Sequence, residues 1–551
     1  MVGAGPRIEP EADTEQRWAL VSVYDKTGID DFVKGLVRHG YKIISTGGTA
    51  RVLREAGVEI MDVSELVGGN PIMGDKVKTL SREVAAGLLG RRDVVEEIGE
   101  MNQLKLPIID LVCVDMYPLE ATIEESGHNL AMVLSKTDVG GPTMLHEGAK
   151  GVKITVSTFE QRQAVLDWLE DGRPNEEEFV NELNGMAEYQ VARYVGLSAD
   201  SRSEGAHKVV PLTDRRELLY GINPWSEASV YRVDIGGKKD PLAYYNFRLV
   251  AGREQSTNNL DDWNRALAVM THLAAVNDIN FDDRNTPMMV GVKHGNACGM
   301  AIDSDPKVVA QRMIEGDPLS IFGGIVISGF KIDEEIAEIL LSHRVEDGRR
   351  ILDNIYAPKF TKGAIEMLER RKDKCRFLEN EALANLDRNS LDTQPMMVSI
   401  RGGMIEQSPF SYVLDFKHPD LKVYGGELTE EIKRQIALAW AVGSMSSSNT
   451  ITVVKDNYLL GNGAGQQDRV GGAALAVARA VRSGHDLNGS VAYSDSFFPF
   501  PDGIQILIDA GVKVVFASNG SVGDSRVIEA AQKAGILLVM LPDKVCRGFR
   551  W

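Results

Sequence analysis

Lys293 and His294 stand side by side in GVKHGNACG, residues 291–299. A histidine next to a lysine can have its pKa pushed down by the neighbouring cation, and a neutral imidazole is a competent base. The preceding apolar run PMMV, residues 287–290, predicts a short strand, so the pair sits at a strand end, where a parallel sheet opens its site. Adjacent strand positions point to opposite faces, so the two side chains can act together only where the strand breaks. Gly291, Gly295 and Gly299 permit such a break, and the small residues at the end of the stretch suit a tight turn. The plain alternative is a surface lysine and a partly buried histidine in a loop. A second candidate is a phosphate cradle. YDKTG supplies Lys26 and Thr27, with Ser22 just before it, and STGGT supplies Ser45, Thr46, Gly47 and Thr49 at the start of a helix. Backbone N–H groups at a helix start, with hydroxyls and an ammonium nearby, suit an anion. GNGAGQQDRV, residues 461–470, is glycine-rich but lacks the spacing of a dinucleotide loop.

The elements that carry these residues alternate. WALVSV, residues 18–23, predicts a buried strand, followed by a helix over 29–39 that stops at Gly40. YKIIS predicts the next strand and leads into a helix over 50–56. This β-α-β-α order predicts a parallel, helix-covered sheet. IDLVCVDMYP, residues 109–118, continues it, and helices are predicted over 159–171 and 183–196. SADSRSEGAHK, residues 198–208, is small and polar, which suits a linker with a boundary near residue 205.

Composition sets outer limits. A chain of 551 residues exceeds one core and predicts two to four domains. With 43% hydrophobic and 25% charged residues it has the make-up of a soluble globular protein. Lys and Arg number 61 against 79 Asp and Glu, a net charge of −18, which argues against a general nucleic-acid surface and confines anion binding to local pockets. Cys113, Cys298, Cys375 and Cys546 are far apart without a CxxC, which predicts neither disulfides nor a metal cluster and suits the cytoplasm. The polar first 16 residues lack a signal peptide's pattern and are expected to be flexible, and no apolar run is long enough to span a membrane.

SVYDKTG, STGGTA, KVKTL, MYP, DVGGPTML and the Ala-Lys at 149–150 follow one another in the order found in inosine monophosphate (IMP) cyclohydrolase, which the first part of the chain resembles. The resemblance implies a methylglyoxal-synthase-like (MGS-like) domain over 17–205, with cyclisation carried by Lys78, Tyr117, Asp138 and Lys150. The remainder, 206–551, resembles aminoimidazole carboxamide ribonucleotide (AICAR) formyltransferase. LYGINP, NNLDDW, VKHGNACG, DPLSIFGG, SSNTITVVKD, GNGAGQQDRV, SDSFFPFPDG and NGSVGD carry that second likeness. It implies a cytidine-deaminase-like α/β fold of two related halves, although no sequence repeat is visible.

Lys293 and His294 are then the implied catalytic pair, completed by Asn449 and Asp502. Arg469 and Arg547 are implied as phosphate holders, and Tyr220, Asn223, Asn259, Phe322, Gly323 and Phe498 as pocket lining. The implied chemistry is formyl transfer from 10-formyltetrahydrofolate to AICAR, then ring closure to IMP, by a cytoplasmic homodimer that needs no metal and binds neither nucleic acid nor membrane. The chain departs from the family pattern at Ser81, Arg82, Ala85, His146, Leu219, Trp225 and Ser447. The first three leave an alternative open: a formyltransferase whose first domain is a nucleotide-binding or structural module.

Overall fold

The apolar run near the start becomes the strand Arg17–Val23, and its unbroken hydrophobicity has a direct cause, since helices cover both of its faces. The computed structural model describes residues 16–74, 76–126, 129–234 and 240–549. Residues 1–15, most of the expected flexible N-terminal stretch, lie outside the described residues. In spatial order the first sheet is Ile60–Asp62, Tyr41–Ser45, Arg17–Val23, Ile109–Asp115 and Ile154–Val156, with every neighbouring pair parallel. Phe32, Leu36, Val165 and Trp168, from helices Ile29–Arg38 and Phe159–Glu170, pack one face. Val84, Leu88, Met144 and Leu145, from helices Arg82–Leu89 and Gly140–Lys150, pack the other. The helix expected over 50–56 begins earlier, as Gly47–Glu55, so the glycine pair of STGGT forms its first turn.

The chain divides into two units, Met1–Leu212 with Val233–Gly237, and Thr213–Arg232 with Lys238–Trp551. The helix expected over 183–196 runs from Glu176 to Arg202. The first half of the expected linker is therefore helical. Three glutamates open that helix, where negative charge suits the dipole, and Tyr194, Gly196 and Ser198 are buried on its inner side, which extends it.

The second unit is built on a twelve-stranded mixed sheet. Each half repeats one chain order: an antiparallel edge strand, a long helix, a β-hairpin, and strands that pair in parallel. In the first half these are helix Thr257–Phe281, hairpin Met288–Lys293 with Asn296–Ile302, parallel strands Ile325–Ser328, Asn354–Ala357 and Arg376–Glu379, and edge Arg248–Ala251. The second half uses helix Glu430–Ser444, hairpin Ile451–Lys455 with Tyr458–Gly463, strands Val491–Ser494, Val514–Asn519 and Leu537–Pro542, and edge Lys422–Tyr424. The hairpins meet at the centre, Ala301 opposite Tyr458.

The strand that carries Lys293 is thus not the end of a parallel run, because both of its neighbours are antiparallel. The turn is only His294–Gly295, with φ of 53° and 72°, the left-handed pair that a two-residue hairpin turn of type I′ requires. Gly291 and Gly299 do not break the strand. They lie under helix Pro306–Gly316 and the segment after it, where a Cβ would meet Ile321 Cδ1 at 2.3 Å and the Met313 carbonyl oxygen at 1.9 Å. All four cysteines are free and buried. Among the described residues no helix is long and apolar enough to cross a membrane.

Candidate functional site

At the carboxyl ends of the first unit's strands, two lysines converge on the glycine pair of STGGT. A Cβ on Gly47 would lie 3.1 Å from Lys78 Nζ, and one on Gly48 would lie 3.7 Å from Lys26 Cε. Gly47 also has φ +57°, a backbone conformation that favours glycine. Lys26 is turned inward and donates to the carbonyls of Val23 (2.5 Å) and Tyr24 (2.8 Å). Burial pushes its pKa down; the carboxylates of Asp115 and Asp25 oppose this, and Lys78 adds to it. The hydroxyls expected to face an anion are partly committed elsewhere. Ser45 Oγ donates to the Val21 carbonyl (2.8 Å), Thr49 Oγ1 to that of Val23 (3.1 Å), and Thr27 Oγ1 to Asp25 (2.7 Å). Thr46 is buried and Ser22 half-buried. Facing an anion are the first-turn backbone N–H groups and the Lys78 ammonium, with Thr46 at the helix N-cap.

Lys78, Asp138 and Tyr117 fall in one neighbourhood. Thr79, next to Lys78, has its Oγ1 2.7 Å from where a Cβ on Gly140 would stand, two residues after Asp138. The Asp138 N–H donates to Tyr194 Oη at 2.7 Å, and one carboxylate oxygen accepts from Gly141 N at 3.3 Å. Burial pushes the Tyr194 phenol up to about 12, with the charges of Asp138 and Tyr117 adding to the rise. Tyr117 is half-exposed, its ring centroid 4.6 Å from that of Tyr24. Lys150 closes the 11-residue helix that begins just after Asp138, and at 1.5 Å per residue the two ends are about 16 Å apart. Ser81, one of the departures, caps helix Arg82–Leu89 by accepting from Val84 N at 3.2 Å.

In the second unit Lys293 Nζ donates to the Phe322 carbonyl at 2.6 Å, and His294 stands exposed on the turn. The loop before Ile325 is tied close by: Gly323, at φ +77°, donates to the Ile351 carbonyl at 2.6 Å. Below the turn, Asp262 accepts from Gly295 N at 2.6 Å. Beside it, Asn296 Nδ2 donates to the His294 carbonyl at 3.2 Å while its Oδ1 accepts from Ser447 N at 3.0 Å. Two residues on is Asn449, which three hydrogen bonds join to Gln466. Arg469, three residues further on, donates to the Phe497 carbonyl, and Asp502 follows at the start of helix Pro501–Asp509, exposed and accepting from Gly503 N. The Asn296 bridge therefore ties the His294 turn to the Ser447–Asn449 segment.

Several expected lining residues have other work. Arg469 is paired with the buried Asp495 and is not a free fork for phosphate, because a carboxylate with no water around it needs a counter-charge. Arg547 is half-exposed, 3.6 Å from Asp543. Phe498 is 1% exposed within the core of Ile451, Ile504 and Leu507, so its ring supports the site and does not line it. Asn259 caps helix Thr257–Phe281 through Ser256. Tyr220 and Asn223 lie in a loop held by Thr257 N on the Tyr220 carbonyl (3.1 Å) and Ser226 N on the Asn223 carbonyl (3.0 Å), which displays Trp225 with 82% of its surface exposed. Sequence reasoning missed Asp262, Asn296 and Tyr194 as contributors. The first two lie inside the stretches NNLDDW and KHGN, whereas nothing near Tyr194 in sequence points to Asp138. Among the described residues no group of three or more His, Cys, Asp or Glu is placed to hold a metal ion.

Comparison with known proteins covers nearly all of the chain. The model of the AICARFT/IMPCHase bienzyme family matches residues 155–479, and that of the MGS-like domain matches residues 28–143. The bifunctional purine biosynthesis protein PurH of Bacillus cereus is 33% identical over 530 residues, 95% of this chain and 98% of that protein. The PurH proteins of Bacillus cytotoxicus and Bacillus thuringiensis match with the same identity and coverage. A solved structure described as "Crystal structure of ForH" is 31% identical over 35% of this chain and all of its own, with a TM-score of 0.31 from which no fold is read.

Proposed function

The chain belongs to the AICARFT/IMPCHase bienzyme family, and from that membership we infer how its two units divide the chemistry. It is a bifunctional enzyme of purine biosynthesis, an AICAR formyltransferase and an IMP cyclohydrolase, that acts on nucleotide and folate substrates. A formyltransferase alone, with a structural first domain, is not favoured, since the bifunctional relatives match 95% of the chain.

The observation that carries the assignment of formyl transfer is the Lys293 ammonium fixed on the Phe322 carbonyl, beside an exposed His294. One N–H of the ammonium is committed and the others can meet an oxyanion. In our reading His294 takes the proton from the AICAR 5-amino group as that nitrogen attacks the formyl carbon of 10-formyltetrahydrofolate. Lys293 stabilises the oxyanion, the bond from the formyl carbon to folate N10 breaks, and tetrahydrofolate leaves with a proton. Asn449 and Asp502 orient the reactants. In the first unit the carboxamide nitrogen of formyl-AICAR attacks its own formyl carbonyl and water is lost, so orientation supplies much of the rate. Lys78 stabilises the oxyanion, while Tyr117 and Asp138 handle the protons. We propose further that the enzyme is a cytoplasmic homodimer that uses no metal. The exposed Ile222, Trp225, Leu319 and Phe322, 70%, 82%, 70% and 43% accessible, support a partner surface beside the formyl-transfer site.

The test supplies AICAR and 10-formyltetrahydrofolate and follows formyl-AICAR and IMP separately. His294→Ala should slow formyl transfer about 100- to 10,000-fold and still cyclise added formyl-AICAR, whereas Lys78→Ala should let formyl-AICAR accumulate. Wild-type formyl transfer by His294→Ala would remove that residue from the chemistry.

A further inference from the structure

The turn that carries His294 has an unusual requirement. Its first residue is a histidine at φ 53°, a region that side chains other than glycine adopt at a cost, so the surroundings must hold it there. The bonds from Asn296 and Lys293 reach carbonyls or leave the turn, and neither holds its N–H groups. Asp262 does. From helix Thr257–Phe281 its Oδ1 accepts from Gly295 N at 2.6 Å, and the His294 N–H also acts on this carboxylate. The helix is fixed independently, by the cap at Ser256 and by burial of Trp263 and Ala266 in the core. Asp262 therefore ties the turn to a rigid element.

We propose that Asp262 is a positioning residue for formyl transfer: its carboxylate holds the His294–Gly295 turn so that the imidazole is presented at a fixed place beside Lys293. The inference rests on the reading of His294 as the base. Positioning errors of about 1 Å can cost roughly 100-fold in rate, and the loss falls on kcat when binding contacts remain.

Asp262→Ala removes the acceptor, and Asp262→Asn keeps an oxygen in the same place. The alanine variant should lose about 10- to 100-fold in kcat for formyl transfer, with KM for AICAR and for 10-formyltetrahydrofolate within a factor of about two. Cyclisation of added formyl-AICAR should be unaffected, and the asparagine variant should regain most of the lost kcat. In a His294→Ala background, Asp262→Ala should cost nothing more, because its effect passes through the imidazole. A merely structural aspartate would add its loss in that background and depress both activities. Should the alanine variant not fold, Asp262→Ser, polar but too short to reach Gly295 N, makes the same test. Wild-type kcat in the folded alanine or serine variant, or an additive loss on His294→Ala, overturns the proposal. If instead His294→Ala itself transfers formyl normally, it is the assignment of the base that fails.

Discussion

Replacing Arg469 by alanine separates two roles for one residue. A guanidinium that held substrate phosphate would, when lost, raise the KM for nucleotide and leave folding alone. The structure makes it the counter-ion of Asp495, whose side chain is 0% exposed beside an arginine side chain that is 11% exposed. Thr450 N donates to the other carboxylate oxygen at 3.1 Å, so the pair sits inside a bonded network. Removing one member of a buried pair costs about 3–5 kcal/mol. Burial already pushes the Asp495 carboxyl up, against the charge of Arg469 and the bonds from Ser448 and Thr450. Without the arginine it rises further, and the folded variant holds a proton that the unfolded chain has released. Where the native state binds more protons, stability falls as pH rises, by at most about 1.4 kcal/mol per pH unit for one group. The stability gap between wild type and Arg469→Ala should therefore be widest at and above neutral pH and narrow toward acid. Urea unfolding across that range measures it. A variant that unfolds with wild type at every pH, and differs only in nucleotide KM, would refute the ion-pair account.

Tyr194→Phe removes the acceptor of the Asp138 N–H, a bond of 2.7 Å, and should slow cyclisation so that formyl-AICAR accumulates while formyl transfer continues. Unchanged IMP formation would remove Tyr194 from that site. Gly299→Ala would drive a Cβ to 1.9 Å from the Met313 carbonyl oxygen, so helix Pro306–Gly316 must shift, and overpacking of this kind costs about 1–3 kcal/mol or more; an unchanged thermal midpoint counts against it. Lys153, 5% exposed, is pushed down to about 8 by burial from an ordinary value of 10.5. Between those values the unfolded chain holds the extra proton, so wild type should gain stability relative to Lys153→Met as pH rises through that window. A difference between the two proteins that stays flat with pH would contradict the burial.

The sequence by itself determined the chemistry and the broad architecture. Alternating apolar runs and helical patterns predicted the parallel sheet of the first unit, because strands covered on both faces must be apolar throughout. Short stretches such as DVGGPTML and VKHGNACG carried the resemblance to the family, because long runs of unusual composition rarely recur by chance. Tertiary structure alone decided which of those residues meet. One helix separates Asp138 from Lys150 by its own length, and one buried carboxylate occupies Arg469. Gly291 and Gly299 looked like strand breakers, but an overlying helix and its following segment required them, and that helix is distant in sequence from neither strand yet invisible to spacing arguments. The two halves of the second unit repeat in strand order without a visible sequence repeat, since the fold constrains burial and pairing direction and leaves residue identity free. Tyr194 and Asp262 act through contacts across 56 and 33 residues of chain, and no local pattern records a partner at that remove.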